Sequence, residues 1–118
     1  MTKLTRQALV IYASLYAVAF IAQTARAESE HGEEVYHSTC IVCHGENGKG
    51  AVPGVPSFTN KDGALDKSDE LLLNHILNGF LSEGLSMSMP ARGGNPNLTE
   101  EDAKAVLLYI RDKFKPQQ

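Results

Sequence analysis

The segment Cys40-Ile41-Val42-Cys43-His44 decides how this sequence is interpreted. It places two thiols three residues apart, with an imidazole directly after the second thiol. On a helical turn, residues i and i+3 share a face, so both sulfurs can reach the same edge of a flat ligand. The pattern C-x-x-C-H is typical of covalent haem attachment through two thioethers. The sequence therefore predicts one haem c held by Cys40 and Cys43, with the imidazole of His44 as an axial ligand of its iron.

Other roles for two close cysteines fit the sequence less well. A thioredoxin-like redox pair would need a strand before the motif and a βαβ pattern around it, whereas the preceding residues have a helical pattern. A structural zinc site would need a fourth ligand with its own close spacing, and the sequence offers no second cysteine pair or paired histidines. A disulfide across three residues would be strained and would stabilise the fold little.

The first 27 residues have the pattern of a secretory signal peptide. Lys3 and Arg6 give a basic start, residues 8–22 carry no charge, and the tripeptide Ala-Arg-Ala ends at residue 27. We therefore expect cleavage after residue 27, export to the bacterial periplasm and a single mature domain, residues 28–118. The alternative is an uncleaved membrane anchor, because the uncharged run approaches the roughly 20 residues that cross a bilayer.

Length and charge exclude several classes of protein. A chain of 118 residues with 42% apolar residues is one small domain, which excludes a two-domain enzyme. Removing residues 1–27 takes away three basic residues and leaves 8 basic against 14 acidic ones, a net charge of −6. This balance argues against nucleic acid or a membrane surface as ligand and favours a redox partner with a basic docking face, although solubility alone would also explain it. A domain of this size, without tryptophan, would gain much of its core from a bulky apolar cofactor.

The second axial ligand must come from elsewhere in the chain. A methionine thioether is a recognised sixth ligand of haem iron, and only Met87 and Met89 follow the leader. We favour Met89, because Pro90 biases the residue before it toward extended backbone that can lie across a flat ring. Met87 is the nearest alternative. Three histidines are weaker alternatives: His31, His37 and His75.

The remaining patterns predict three helices and no strands. The first spans about residues 30–43, the second begins at Ser68 and stops near Gly79, and the third begins at Thr99. Ser68 and Thr99 are N-cap residues, and the third helix shows apolar residues at helical spacing up to about residue 114. No period-2 run occurs after the leader. The predicted fold class is therefore all-α with long loops.

The mature chain resembles the small bacterial monohaem class I cytochromes c over residues 30–115. The resemblance rests on the haem-binding motif and on six further residues: Gly32, Tyr36, Met89, Pro90, Val106 and Tyr109. It implies the cytochrome c fold, with three or more short helices and long loops around one covalent haem.

Two structural details follow from this resemblance. Gly32, which has no Cβ, would let the N- and C-terminal helices cross closely. A proline carbonyl, from Pro56 or alternatively Pro53, would accept a hydrogen bond from the ring N–H of His44 and fix its orientation.

The expected function follows from the coordination of the iron. Iron held by His44 and Met89 has no open position, so gain and loss of one electron is the chemistry left to it. We therefore expect an electron carrier rather than an enzyme: a soluble periplasmic cytochrome, monomeric and shuttling electrons between redox proteins. Arg92 is a candidate to bind the haem propionates, with surface solvation as its alternative role.

Two other functions remain open. The chain could be the haem subunit of a larger flavin or molybdenum dehydrogenase, docked through Phe80, Leu81 and Leu85, although we expect these residues to line the haem pocket. A sensor or peroxidase would require that Met89 does not bind the iron.

Overall fold

Three helices form most of the regular structure in this computed structural model, which describes residues 11–12, 23–24, 26–81 and 87–116. Helix α1 runs through residues 26–44, α2 is Asp69–Asn78 and α3 is Glu100–Phe114. Short 3₁₀ turns lie at Ala64–Asp66 and Ala91–Gly94. The described residues contain no strand, only one isolated β-bridge. The predicted all-α fold with long loops is confirmed.

Helix α1 changes its winding at a turn that includes the first cysteine, Cys40. Residues 26–35 are α-helical, Tyr36–Cys40 form a π-helical turn, and Ile41–His44 add one α-helical turn. The N–H of Ile41 donates to the carbonyl of Tyr36, five residues back, as in a π turn. The helix ends at Gly45, whose φ of +79° favours glycine. The first helix covers the predicted residues 30–43, but it already includes residues 26–29 and contains a π turn that the sequence did not predict.

Helices α1 and α3 cross at Gly32. A Cβ added to this glycine would overlap the carbonyl oxygen of Ala105 and lie 2.9 Å from the Cβ of Tyr109. Four residues further along α1, the Tyr36 ring lies 5.5 Å from the Tyr109 ring and 5.3 Å from the Phe114 ring. The close crossing implied by the resemblance to cytochromes c is confirmed.

The starts of α2 and α3 are set by the predicted caps. The hydroxyl of Ser68 accepts from the N–H of Leu71 at 3.3 Å. Thr99 and Asp102 exchange two bonds: the Thr99 hydroxyl accepts from the Asp102 N–H at 3.1 Å, and the Asp102 carboxylate accepts from the Thr99 N–H at 2.8 Å. These bonds satisfy N–H groups that a helix start leaves without partners.

Arg111 ties α3 to the segment before α2. Its Nε donates to the Asp69 carboxylate at 2.6 Å, and its two Nη groups donate to the backbone carbonyls of Leu65 and Lys67 at 2.7 Å each. The 3₁₀ turn Ala64–Asp66 and the residue after it are therefore held against α3.

The predicted leader lies largely outside the described residues. Among the residues that the structure does describe, no helix is long and apolar enough to cross a membrane.

Candidate functional site

A cavity of about 250 Å³ lies between α1, α2, α3 and the segment that follows residue 86. Its wall is mostly apolar and includes core residues such as Leu72 and Val106. The four predicted site residues all line it: Cys40, Cys43, His44 and Met89. Residues that are far apart in the sequence are thus brought to one cavity.

The last turns of α1 bring both cysteines to this cavity. The side chains of Cys40 and Cys43 are partly buried, and the two are not joined in a disulfide. In the chain without haem, burial and the nearby Cys43 raise the pKa of the Cys40 thiol to about 11, so it carries its proton at neutral pH.

A tyrosine on α1 fixes the chain just after His44. The Tyr36 hydroxyl donates to the carbonyl of Gly45 at 2.6 Å. Burial, together with Cys40 and Tyr109, raises the pKa of Tyr36 to about 12, so the hydroxyl keeps the proton it donates. The position of the motif along the cavity wall is therefore set by a partly buried hydrogen bond as well as by the helix.

The imidazole of His44 is oriented by stacking. Its ring lies 4.5 Å from the Phe58 ring, with the two planes 12° apart. Its Nδ1 is buried and has no hydrogen-bond partner, so the bond to a carbonyl of Pro56 or Pro53 that the resemblance implied is not formed. Pro56 nevertheless lines the same cavity.

Burial also lowers the pKa of His44, so the ring is neutral at neutral pH. A neutral imidazole keeps one nitrogen lone pair for a metal. A buried nitrogen without a partner costs about 1–3 kcal/mol, which a bound group can offset. An imidazole, two thiols and a thioether around one apolar cavity are the donor set that fits haem c.

Met89 is held by a backbone bridge to Phe80. The Phe80 N–H donates to the Met89 carbonyl at 3.0 Å, and the Met89 N–H donates to the Phe80 carbonyl at 2.8 Å. Gly79, at φ +81°, permits this approach, because a Cβ there would lie 2.8 Å from the Met89 carbonyl oxygen. The Met89 side chain is partly buried against the core. Its extended bridge agrees with the bias predicted from Pro90.

The alternative ligands differ in their access to the cavity. Met87 also lines it, but its side chain is 44% exposed. His75 lines it as well and stacks on Phe80 at 3.9 Å. His31 instead pairs with Asp102 at 2.6 Å. Neither His31 nor His37 is among the described residues that line the cavity.

The expectations for Arg92 and for the three apolar residues Phe80, Leu81 and Leu85 have mixed outcomes. Phe80 lines the cavity as expected, whereas Leu81 does not and is 60% exposed. Leu85 lies outside the described residues. Arg92 donates to the carbonyl of Leu98 and is not among the described residues that line the cavity, and its binding to the haem propionates stays a prediction.

Sequence reasoning missed Phe58 and Lys67, which also line the cavity. Phe58 follows Pro56 in a loop without periodicity, so the only available signal was an aromatic residue close after the prolines. Lys67 precedes the N-cap Ser68. A lysine at this position is ordinarily a solvated surface residue, and nothing in the sequence distinguishes it.

A small all-α domain that gathers a C-x-x-C-H helix end, a methionine segment and its terminal helices around one apolar cavity is a monohaem class I cytochrome c. The chain matches the family described as "Cytochrome C oxidase, cbb3-type, subunit III" over residues 27–110, and it belongs to this family. Its cofactor is covalently bound haem c, and it is an electron-transfer protein.

The chain is similar both to longer proteins and to proteins of about the length of the matched region. The chain is 32% identical over 85 residues to the cbb3-type cytochrome c oxidase subunit CcoP of Rhodobacter capsulatus, covering 71% of this chain and 29% of that protein. It is 26% identical over 87 residues to cytochrome c-555 of Chlorobaculum thiosulfatiphilum, covering 71% of this chain and 94% of that protein. Cytochrome c-555 of Prosthecochloris aestuarii is 28% identical over 82 residues, with 68% and 82% covered. The chain thus spans about three tenths of the oxidase subunit.

Proposed function

We propose that this protein is a soluble periplasmic cytochrome that shuttles single electrons between redox proteins. Cys40 and Cys43 form the two thioethers to haem, and His44 and Met89 are the axial ligands. The observation that carries this assignment is the convergence of all four side chains on one apolar cavity. The match over 94% of a cytochrome c-555 supports a domain that is sufficient for electron transfer.

The protein's own residues prepare the site for this role. When bound, haem c supplies a one-electron couple, and a thioether ligand gives it a higher reduction potential than a second histidine would. Phe58 holds the plane of the His44 ring, and the bridge to Phe80 holds Met89 at the cavity. With both axial positions filled by side chains, a substrate has no place to bind the iron.

The ligand assignment is tested by the visible spectrum of the oxidised protein. We expect an iron–methionine charge-transfer band that is lost in Met89→Ala and kept in the matched control Met87→Ala. Met87 is the proper control because it lines the same cavity and lies two residues away. Loss of the band in Met87→Ala but not in Met89→Ala would overturn the assignment.

We also propose that a signal peptide is removed after Ala27. The mature protein then begins at Glu28 and has 91 residues if its C-terminus is the one given. Mass spectrometry of the protein purified from the periplasm should find this N-terminus and the mass of one added haem. A protein that keeps residues 1–27 and sediments with membranes would instead support the anchor.

A second candidate is the haem subunit of a larger oxidoreductase, such as a flavin or molybdenum dehydrogenase. Exposed apolar side chains near the cavity favour it: Phe80 at 39%, Leu81 at 60% and Met87 at 44% exposure. The relatives named as cbb3 oxidase subunits are consistent with assembly into a complex. Size exclusion of the native protein from a gentle extract decides between the two, because a stable large complex would contradict the free carrier.

A further inference from the structure

Apart from the two thiols, the ionisable side chains at the cavity are all basic types. Apart from the two thiols, the ionisable residues among the described lining are His44, Lys67 and His75, and none of the described lining residues is acidic. The chain as a whole has more acidic than basic residues, 14 against 11. A cavity with basic groups and no carboxylate in an acidic protein indicates a ligand that brings its own negative charge.

Lys67 and His75 have no anionic partner within the part of the chain that the structure describes. Near Lys67, one described carboxylate forms an ion pair: Asp69, whose partner is Arg111 rather than Lys67. Arg111 also holds the Lys67 carbonyl at 2.7 Å, which fixes the Lys67 backbone while its ammonium makes no ion pair. The His75 ring is held by its stack on Phe80.

Lys67 also acts on His75. Burial and the charge of Lys67 together lower the pKa of His75. A nearby positive charge without a counter-ion disfavours the protonated form of an imidazole. A pair of carboxylates placed between the two side chains would reverse this effect on His75.

We propose that Lys67 and His75 form the basic pole of the cavity and bind the two propionate carboxylates of haem c. This inference rests on the proposed function, because it requires haem in this cavity. Haem c carries two propionates, which are anionic at neutral pH, in addition to the positions bonded to the cysteines. The thiols belong to α1, whereas Lys67 and His75 belong to α2 and the residue before its N-cap. In this proposal α1 binds the porphyrin positions that carry the thioethers, whereas α2 and the residue before its N-cap bind the propionates.

The first test measures contact directly. In the purified haem-bearing protein, NMR should detect proximity between the propionate methylene protons and the ring protons of His75, and between the same methylenes and the Lys67 side chain. Proximity to neither residue overturns the proposal. Proximity to the side chain of Arg92 instead would support Arg92, the candidate suggested by the sequence, as the residue that binds the propionates.

The second test measures the reduction potential of Lys67→Gln and His75→Phe, the latter keeping an aromatic ring against Phe80. Without a cation beside them, the propionates stabilise the oxidised iron more, so we expect the equilibrium constant for reduction to fall several-fold. The matched controls Lys113→Gln and His37→Phe change the same residue types away from the cavity, and they should change the reduction potential less.

The outcomes separate this inference from the proposed function. If the purified protein contains no covalent haem by the pyridine haemochrome assay, the proposed function itself fails. If haem is bound and the iron–methionine band is present, but Lys67→Gln and Lys113→Gln shift the potential equally, only the basic pole is overturned.

Discussion

Position 32 illustrates how strongly a single missing side chain can determine helix packing. Ala has a helix propensity up to about 1 kcal/mol better than Gly, so propensity alone favours Gly32→Ala. The added Cβ, however, would meet the backbone of Ala105 and the Cβ of Tyr109, and backbone cannot move aside cheaply. We expect the substitution to lower the free energy of unfolding by about 1–3 kcal/mol.

Denaturant unfolding of the holoprotein measures this effect. Glu34→Ala, at an exposed position on the same helix, is the matched control and should change stability by no more than about 0.5 kcal/mol. A gain in stability for Gly32→Ala would mean that the two helices can separate without cost.

At the scale of residues, the sequence predicts which residues form the site better than it predicts their side-chain contacts. The motif at residues 40–44 and the preference for Met89 follow from spacing and from Pro90, and these residues do reach one cavity. The orientation of His44 does not follow in the same way. Its stack on Phe58 depends on how a loop of glycines and prolines folds, and no periodic pattern in such a loop determines its path.

At the scale of elements, Arg111 connects α3 with one wall of the cavity. Its side chain is 19% exposed and donates to two backbone carbonyls as well as to Asp69. Hydrogen bonds from a charged donor contribute about 1.5–3 kcal/mol, so Arg111→Gln should lower the free energy of unfolding by about this amount. Arg111→Lys should recover only part of it, since an ammonium cannot match the planar fork of a guanidinium.

The comparison with Asp69→Asn identifies which bonds matter. The Asp69 carboxylate is 59% exposed, and exposed ion pairs contribute about 0–1 kcal/mol. Thermal unfolding of the three variants should therefore rank Arg111→Gln well below Asp69→Asn. Equal losses would show that the ion pair, rather than the two carbonyl contacts, holds the wall.

The starts of α2 and α3 were predictable, whereas the start of α1 and the winding inside it were not. The hydroxyls of Ser68 and Thr99 accept hydrogen bonds from the backbone N–H groups of residues three positions later, and this local chemistry is visible in the sequence. The π turn at Tyr36–Cys40 has no such signature, because the same residue types are compatible with α-helical bonding. This turn changes the position of the residues that follow it, because it shifts Ile41–His44 around the helix axis by about one residue.

At the scale of the whole molecule, fold class and cofactor were predictable because one motif and three predicted helices agree. The basic residues of the cavity were not, because Lys67 and His75 are separated from the cysteines by loops whose closure only the folded chain defines. The acidic total charge and a basic cavity therefore coexist in one small domain. Their relative influence on an approaching partner depends on distance and salt.

This competition gives a prediction for electron-transfer kinetics. With residues 1–27 removed as proposed, the polypeptide has a net charge of −6, whose field extends over about 30 Å at 0.01 M salt and about 3 Å at 1 M. We therefore expect reduction by a cationic complex such as hexaammineruthenium(II) to slow as salt is added, and reduction by anionic ferrocyanide to become faster. An uncharged reductant is the control and should respond little in stopped-flow measurements. If the ferrocyanide reaction also slows with salt, the electron enters where the local field of Lys67 and His75 outweighs the charge of the whole protein, and a basic docking face on the partner would no longer be favoured.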